Sequence, residues 1–281
     1  MDTVTGKLND IAKELRRRVF KTIYKAGGGH IAPAFSIVEI LTALYFTGIM
    51  KYDPMNPQWT ERDRLILSKG HACAATYSAL SLAGFFDKNI LDTFCQTGSN
   101  LGGHPNMHEV PGIEASTGAL GHGFTFAIGI ALAGKMDEKN YKTFVIIGDG
   151  ECQEGSIWEG ALFASHQKLS NLTAILDYNK LQAMDKLDSI ISMEPFAQKW
   201  KAFGWDVSEV DGHDVNQLKE VLGKTRKLDS APRLIIAHTI KGKGVSFMEN
   251  EPLWHYRMPN EDELKIICSE LEIQLQELRR E

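Results

Sequence analysis

Little in this sequence points to metal clusters, membranes or nucleic acid. Its 281 residues hold four cysteines, Cys73, Cys95, Cys152 and Cys268, widely spaced and without a CxxC pair. Neither a zinc site nor a disulfide framework is indicated by that pattern. No apolar run approaches a membrane span, and the polar opening MDTVTGKLND does not read as a signal peptide. A net charge of −5 and a pI near 6.0 give no general attraction to nucleic acid or anionic membrane. There is no HExxH for zinc hydrolysis, no GxGxxG after a strand and no P-loop. Internal repeats, low-complexity tracts and linkers are also missing. At 43% hydrophobic content the chain can bury a full core, and a cytoplasmic protein is the expectation.

What is present is concentrated between residues 144 and 181. Phe144 to Ile147 is an apolar run with the length of a buried strand, and Gly148-Asp149-Gly150 breaks it with a turn. From Ser156 to Gln167 the apolar or small positions Ile157, Trp158, Ala161, Leu162 and Ser165 recur at helical spacing. Leu172 to Leu176 is a second strand run, ending in Asp177-Tyr178-Asn179-Lys180. Strand, turn, crossover helix, strand and turn make a parallel βαβ unit, which puts both turns at the carboxyl edge of a sheet where α/β folds bind ligands. Asp149 and Asn179 would then meet there. One carboxylate, one amide oxygen and a nearby backbone carbonyl form a hard oxygen site suited to Mg²⁺ or Ca²⁺, with room for phosphate oxygens.

Elsewhere, Leu8, Ile11, Leu15, Val19 and Ile23 predict an amphipathic helix over 4–26, with Arg16, Arg17 and Arg18 as a solvated face or an interface. Gly27-Gly28-Gly29 ends it and delivers His30. Ser36, with Glu39 three residues on, reads as the N-cap of an apolar helix from Ile37 to Phe46. Arg64 to Ser68 predicts the first strand, with Gly70-His71 at its carboxyl end and a small-residue helix from Ala72 to Ala83. The glycine-rich segment from Thr97 to Gly123 has the length of a functional or disordered loop, and a buried helix from Phe124 to Lys135 follows. Strands at Trp205 to Val210 and Leu234 to His238, and a C-terminal helix over 261–280, complete the pattern. Strands alternating with helices imply one α/β domain over 1–281 with a mainly parallel sheet.

Five of the nine histidines follow a glycine: His30, His71, His104, His122 and His213. A lone Gly-His is an ordinary surface turn. Imidazoles gathered at a sheet's ligand edge instead provide donors and acceptors that titrate near physiological pH.

The span from GDG to an Asn about thirty residues later resembles the thiamine diphosphate motif, and QEG, HQKLSNL and DYNKL look specifically like transketolase. The resemblance runs from about Leu8 to His255 and includes SKGH, GGHP and STGALGHG. It implies the thiamine diphosphate-binding fold, with helices on both faces of the sheet. It also implies Asp149, Asn179 and the Leu181 carbonyl as metal ligands, and Gly150 and Glu151 as backbone neighbours of the diphosphate. His71, Gly118, Leu120 and Asn179 would contact the cofactor, while His30, His104 and His255 would act on the substrate. Glu154 matches an acidic residue at the family's dimer interface.

Three features depart from the family: Trp254-His255-Tyr256-Arg257 is not the usual full-length pattern, Ile31-Ala32-Pro33-Ala34-Phe35 follows His30 where the family often has a glycine-containing stretch, and His122 stands where glutamine is common. The chain also stops before the pyrimidine-binding and C-terminal domains. The resemblance is therefore to the N-terminal subunit of a split transketolase, expected to pair with a second polypeptide as α2β2 and to act on sugar phosphates or related sugars. Competing readings are another thiamine diphosphate enzyme subunit, of the 1-deoxyxylulose-phosphate synthase or 2-oxoacid dehydrogenase kind, and a non-catalytic cofactor-binding module.

Overall fold

Four of the five strands read as unbroken apolar runs because a sheet covered on both faces needs them. The computed structural model describes residues 3–183, 185–224 and 230–279. Its strands are β1 (Arg64–Leu67), β2 (Thr143–Gly148), β3 (Leu172–Tyr178), β4 (Asp206–Asp211) and β5 (Arg233–His238). They pair in the order β1-β2-β3-β5-β4, every pair parallel. The polar strand is β4, DVSEVD, which lies at an edge and is largely exposed.

The alternation of side chains along each strand splits the core in two. Leu65, Leu67, Phe144, Ile146, Ile175 and Ile235 pack on one face, under α1 (Thr3–Ala26), α2 (Ile31–Phe35), α3 (Val38–Phe46), α4 (Cys73–Leu82), α9 (Val215–Gly223) and α10 (Glu261–Glu270). Ile66, Val145, Ile147, Ala174, Leu176 and Ile236 pack on the other, under α5 (His122–Met136), α6 (Gly155–His166) and α8 (Phe196–Ala202). A one-turn helix, α7 (Leu187–Ile190), lies between β3 and α8. Burial on both faces is the parallel-sheet solution to hydrophobic strands.

Several expectations need correction. Ser36 is not a cap: α3 begins after Ile37 without a side-chain cap, and Ser36 donates its hydroxyl to Asp177 Oδ2 at 2.7 Å. Burying Ser36 between helix and sheet gives its hydroxyl a carboxylate partner in place of a helix end. Arg16 is not on a solvated face; it is buried against Glu39 at 2.7 Å. The C-terminal helix stops at Glu270, because Glu272 turns left-handed at φ +54°. That turn lets Ile273 donate to the Cys268 carbonyl and buries Ile273 and Leu278. Residue 280 lies outside the described residues. Helices α2, α7, α8 and α9 are additions to the expected pattern; α9 is capped by Asp214, which accepts from the Asn216 and Gln217 N–H groups.

Most of the segment from Thr97 to Gly123 is a loop, its last two residues opening α5. The Thr117 hydroxyl donates to the Leu67 carbonyl, and the Tyr77 hydroxyl to that of His104. The Glu114 carboxylate receives both Arg62 and Arg64.

Candidate active site

Because every strand runs the same way, the residues after β1, β2, β3 and β5 collect at one edge of the sheet. Gly148 is in register with Asp177, so the GDG and DYN turns are neighbours. The cavity there, about 300 Å³, is walled by His30, Lys69, His71, Gly118, Leu120, Asp149, Gly150, Glu151, Asn179, Leu181, Lys241 and His255, among others. Every predicted site residue except His104 is in that wall. His104 is exposed and stands at its margin, with Cδ2 about 3.4 Å from where a Gly118 Cβ would lie.

The two side chains expected to hold a cation are fixed by the backbone that carries them. Asp149 accepts the Gly150 N–H at 2.8 Å through Oδ1 and the Lys180 N–H through Oδ2. Lys180 is left-handed, φ +64°, a conformation uncommon outside glycine. Asn179 accepts the Leu181 N–H through Oδ1 at 3.1 Å. Leu181 is set by a short bridge in which Gln182 N–H donates to Asp185 and Leu187 N–H to Lys180. Burial, together with the nearby Asp177 carboxylate, pushes Asp149 up to about 7.

Beneath this pair is an ionic network that sequence reasoning missed. Asp177 is completely buried and receives Lys69 Nζ, Ser36 Oγ, Thr239 Oγ1 and Asn179 Nδ2. Burial alone would raise it, but Lys69 and the hydroxyl donors hold its carboxyl below the usual range. The charge of DYN and the lysine of SKGH were both visible; their pairing depends on two strand ends meeting. Glu151 joins three further segments, accepting from the Ser68 hydroxyl after β1, from Gly121 N–H and from Gly148 N–H. Gly121 has φ +79°, and a Cβ there would strike Ser156 Oγ at 2.3 Å. Only glycine fits that turn.

The histidines sort into three kinds. His30, His71 and His255 pack together, with ring centroids 5.1 to 5.3 Å apart. Gly29 makes this approach available: its φ is +151°, and a Cβ would lie 2.9 Å from Ile23 Cγ2. Burial lowers His30 to about 4, with His104 adding to it, and lowers His255 to about 3, with Lys241 adding to it. His71 is pushed down chiefly by burial and then by Lys69. All three are neutral at pH 7. Lys241 Nζ donates to His255 Nδ1 at 2.9 Å and to the Gln182 carbonyl at 2.7 Å, so His255 carries its proton on Nε2. Burial, with Lys69 nearby, lowers Lys241 to about 8. His213, by contrast, is structural: it bridges Glu39 and the Ile240 N–H. His122 is exposed, its Nδ1 3.1 Å from the Leu120 carbonyl.

This donor set fits a diphosphate held through a hard cation. Among the described residues no group of three or more His, Cys, Asp or Glu could hold a metal alone, so a cation held by Asp149 and Asn179 would need backbone and ligand oxygens to complete its shell. Two buried lysines, Lys69 and Lys241, line the same cavity. Gln182 Nε2 is buried in the wall without a partner. A Cβ at Gly150 would come within 2.8 Å of Gln182 Cγ, so the turn keeps its backbone bare on that side.

Comparison with known proteins agrees with this geometry. Residues 8–277 match the family described as transketolase, thiamine diphosphate binding domain. One subunit of an apulose-4-phosphate transketolase from Phocaeicola vulgatus is 42% identical over 266 residues, covering 95% of this chain and 94% of that protein. A 6-deoxy-6-sulfo-D-fructose transketolase subunit from a Clostridium species is 43% identical over 261 residues, covering 93% and 94%. The solved transketolase of Campylobacter jejuni superposes with a TM-score of 0.88 at 31% identity, over 97% of this chain and 43% of that one. The chain thus spans about two fifths of that solved enzyme and nearly all of the two subunits. On these grounds the chain belongs to the transketolase thiamine diphosphate-binding domain family.

Proposed function

We propose that this chain is the cofactor-holding subunit of a two-chain transketolase, moving a two-carbon ketol unit from a ketose, or ketose phosphate, to an aldose. The observation that carries this reading is one cavity that joins the Asp149–Asn179 pair to three neutral histidines. Bound thiamine diphosphate supplies the nucleophilic carbon and electron sink for breaking and remaking a carbon–carbon bond beside a carbonyl.

The rest is done by residues of this chain and its partner. Asp149, Asn179 and the Leu181 carbonyl would hold Mg²⁺ or Ca²⁺ beside a bound diphosphate, and Gly118, Leu120, Gly150, Glu151 and His71 would line its bed. His30, His104 and His255 face the sugar. His255, with its proton on Nε2, donates to a hydroxyl or carbonyl oxygen, while His30, neutral and half-buried, accepts or returns a hydroxyl proton.

The relatives named as subunits support a second polypeptide that completes the site. Phe126, Leu162 and Phe163 are exposed on α5 and α6, the helices that follow two of the cavity's turns, which suits burial in an α2β2 assembly. Glu154 is exposed at the start of α6, where a second copy can meet it. We also take residues 1–281 as one domain working in the cytoplasm, where its unpaired cysteines stay reduced. The decarboxylating and non-catalytic alternatives have no observation in their favour.

The test is to isolate this chain with its partner and assay ketose and aldose together in the presence of thiamine diphosphate and Mg²⁺. The expected products are a ketose two carbons longer than the acceptor aldose and an aldose two carbons shorter than the donor. Release of carbon dioxide from a 2-oxoacid, or cofactor uptake without any transfer, would overturn the reading.

A further inference from the structure

Tyr256 is not among the residues of the cavity wall but packs on one that is, His30. Its ring packs edge-on against His30, centroid to centroid 4.8 Å at 67°. Its hydroxyl lies 3.2 Å from where a Cβ on Gly28 would be, so the missing side chain lets the phenol end settle against the backbone. Between those two contacts the residue stays 63% exposed.

An aromatic ring held at both ends with a face open to water is a platform. Its neighbours keep it there. Trp254 is buried, the Arg257 guanidinium lies 4.3 Å over the Trp254 ring, and Arg257 pairs with Glu263 at 2.8 and 3.0 Å. Trp254 and Arg257 are thus committed to each other and to Glu263, and Tyr256 leaves the 3-10 turn Pro252–His255 at φ −145° and ψ 86°. The lysines of the cavity do not reach out to this position, since Lys69 is committed to Asp177 and Lys241 to Gln182 and His255.

We infer that Tyr256 is a specificity-determining residue that receives the hydroxylated carbon chain of the acceptor aldose, at the end away from the reacting carbonyl. The inference rests on the proposed function, which puts the reacting carbons at His30 and His255. A polyhydroxylated chain has polarised C–H bonds that stack on an aromatic face and hydroxyls that bond a phenol. Tyr256 provides both on the outward side of His30. A two-carbon aldehyde ends before reaching it; a five-carbon aldose crosses it.

The experiment uses the assembled two-chain enzyme, saturated with thiamine diphosphate and Mg²⁺, with Tyr256→Ala and Tyr256→Phe. Unphosphorylated acceptors keep phosphate contacts out of the comparison. The ratio of kcat/KM for D-ribose to that for glycolaldehyde is expected to fall about tenfold in Tyr256→Ala and about threefold in Tyr256→Phe. A ratio within twofold of the parent in the alanine variant, including one where both acceptors lose equally, overturns the inference. If Tyr256→Ala does not assemble or take up the cofactor, Tyr256→Phe decides alone, and an unchanged ratio overturns it.

A second readout needs no turnover. Saturation-transfer NMR of ribitol, an unreactive open-chain polyol, should show signal on its C–H protons with the parent complex and loss of it in the alanine variant. Should the parent complex transfer no ketol unit, the proposed function fails, and the ribitol signal alone judges Tyr256: its presence in the parent and absence in the variant supports the platform, and its absence in the parent overturns it.

Discussion

Asn179 donates its amide hydrogen to Asp177 Oδ2 at 3.0 Å, and that bond fixes which end of the amide faces the cavity. The Leu181 N–H bonded to Asn179 Oδ1 at 3.1 Å agrees with it, so the whole network assigns the amide one way. The oxygen of Asn179 is thereby turned away from Asp177 and toward the Leu181 N–H. Replacing Asn179 with alanine removes that oxygen and leaves Asp149 as the one side-chain donor of the pair. Thiamine diphosphate binding in the presence of Mg²⁺ should weaken by at least about 100-fold. A calorimetric titration in which Asn179→Ala binds the cofactor as tightly as the parent would refute the metal assignment.

Asp177 is the support beneath Asn179, and it can be tested without any ligand. Asp177→Ala leaves the Lys69 ammonium, 2% exposed, without its counter-charge. Breaking one side of a buried pair costs about 3–5 kcal/mol, so the urea midpoint should drop steeply. Lys69→Met in the same chain removes the stranded charge and should restore part of that loss. A double variant no more stable than Asp177→Ala would show that the ion pair is not the source of the effect.

The fold was largely legible because its determinants are local and periodic. Phe144 to Ile147 and Leu172 to Leu176 read as buried strands, and the βαβ unit between them follows from the handedness and spacing of such connections. That placed Asp149 near Asn179 correctly. What could not be read were pairings between segments distant in sequence: Lys69 with Asp177, Glu151 with Gly121, Lys241 with His255. Nothing in SKG or KGKG announces which carboxylate or ring each lysine will meet. Ser36 misled for a related reason, since its local pattern of a capping box was outcompeted by a buried carboxylate 141 residues away. The C-terminal helix misled because Leu271 and Leu278 keep helical spacing although a left-handed Glu272 lies between them.

Glu151 carries a second prediction of the same network kind. Its one carboxylate accepts from Gly121 N–H at 2.8 Å and Gly148 N–H at 3.0 Å, besides the Ser68 hydroxyl. Those donors belong to three different turns of the cavity wall. Glu151→Ala orphans the buried Gly121 N–H and the part-buried Gly148 N–H, and an unmet buried group costs about 1–3 kcal/mol, so a loss of roughly 1–4 kcal/mol is expected. Amide exchange at Gly121 and Gly148 should quicken together. Protection that stays at the parent level at both sites would mean the carboxylate does not tie the turns.

Acid should weaken the chain through its histidine cluster, and the sign follows from the direction of the shifts. His30 and His255 titrate near 6.5 when unfolded, but near 4 and 3 in the folded chain. Between those values the unfolded chain holds more protons, so stability rises with pH there and is lost on acidification from about 6.5 downward. Above that point neither ring contributes. Asp149 works in the opposite sense, because a carboxyl raised from 3.8 to about 7 takes up its proton in the folded state first. The two effects are separable by substitution. Urea midpoints of the cofactor-free chain from pH 7.5 to 5 should fall more steeply for the parent than for His30→Asn with His255→Asn, in which the two titrating rings are gone. Equal slopes would place the acid sensitivity elsewhere, and would mean that the neutral histidines of this cavity are held no more tightly than those on the surface.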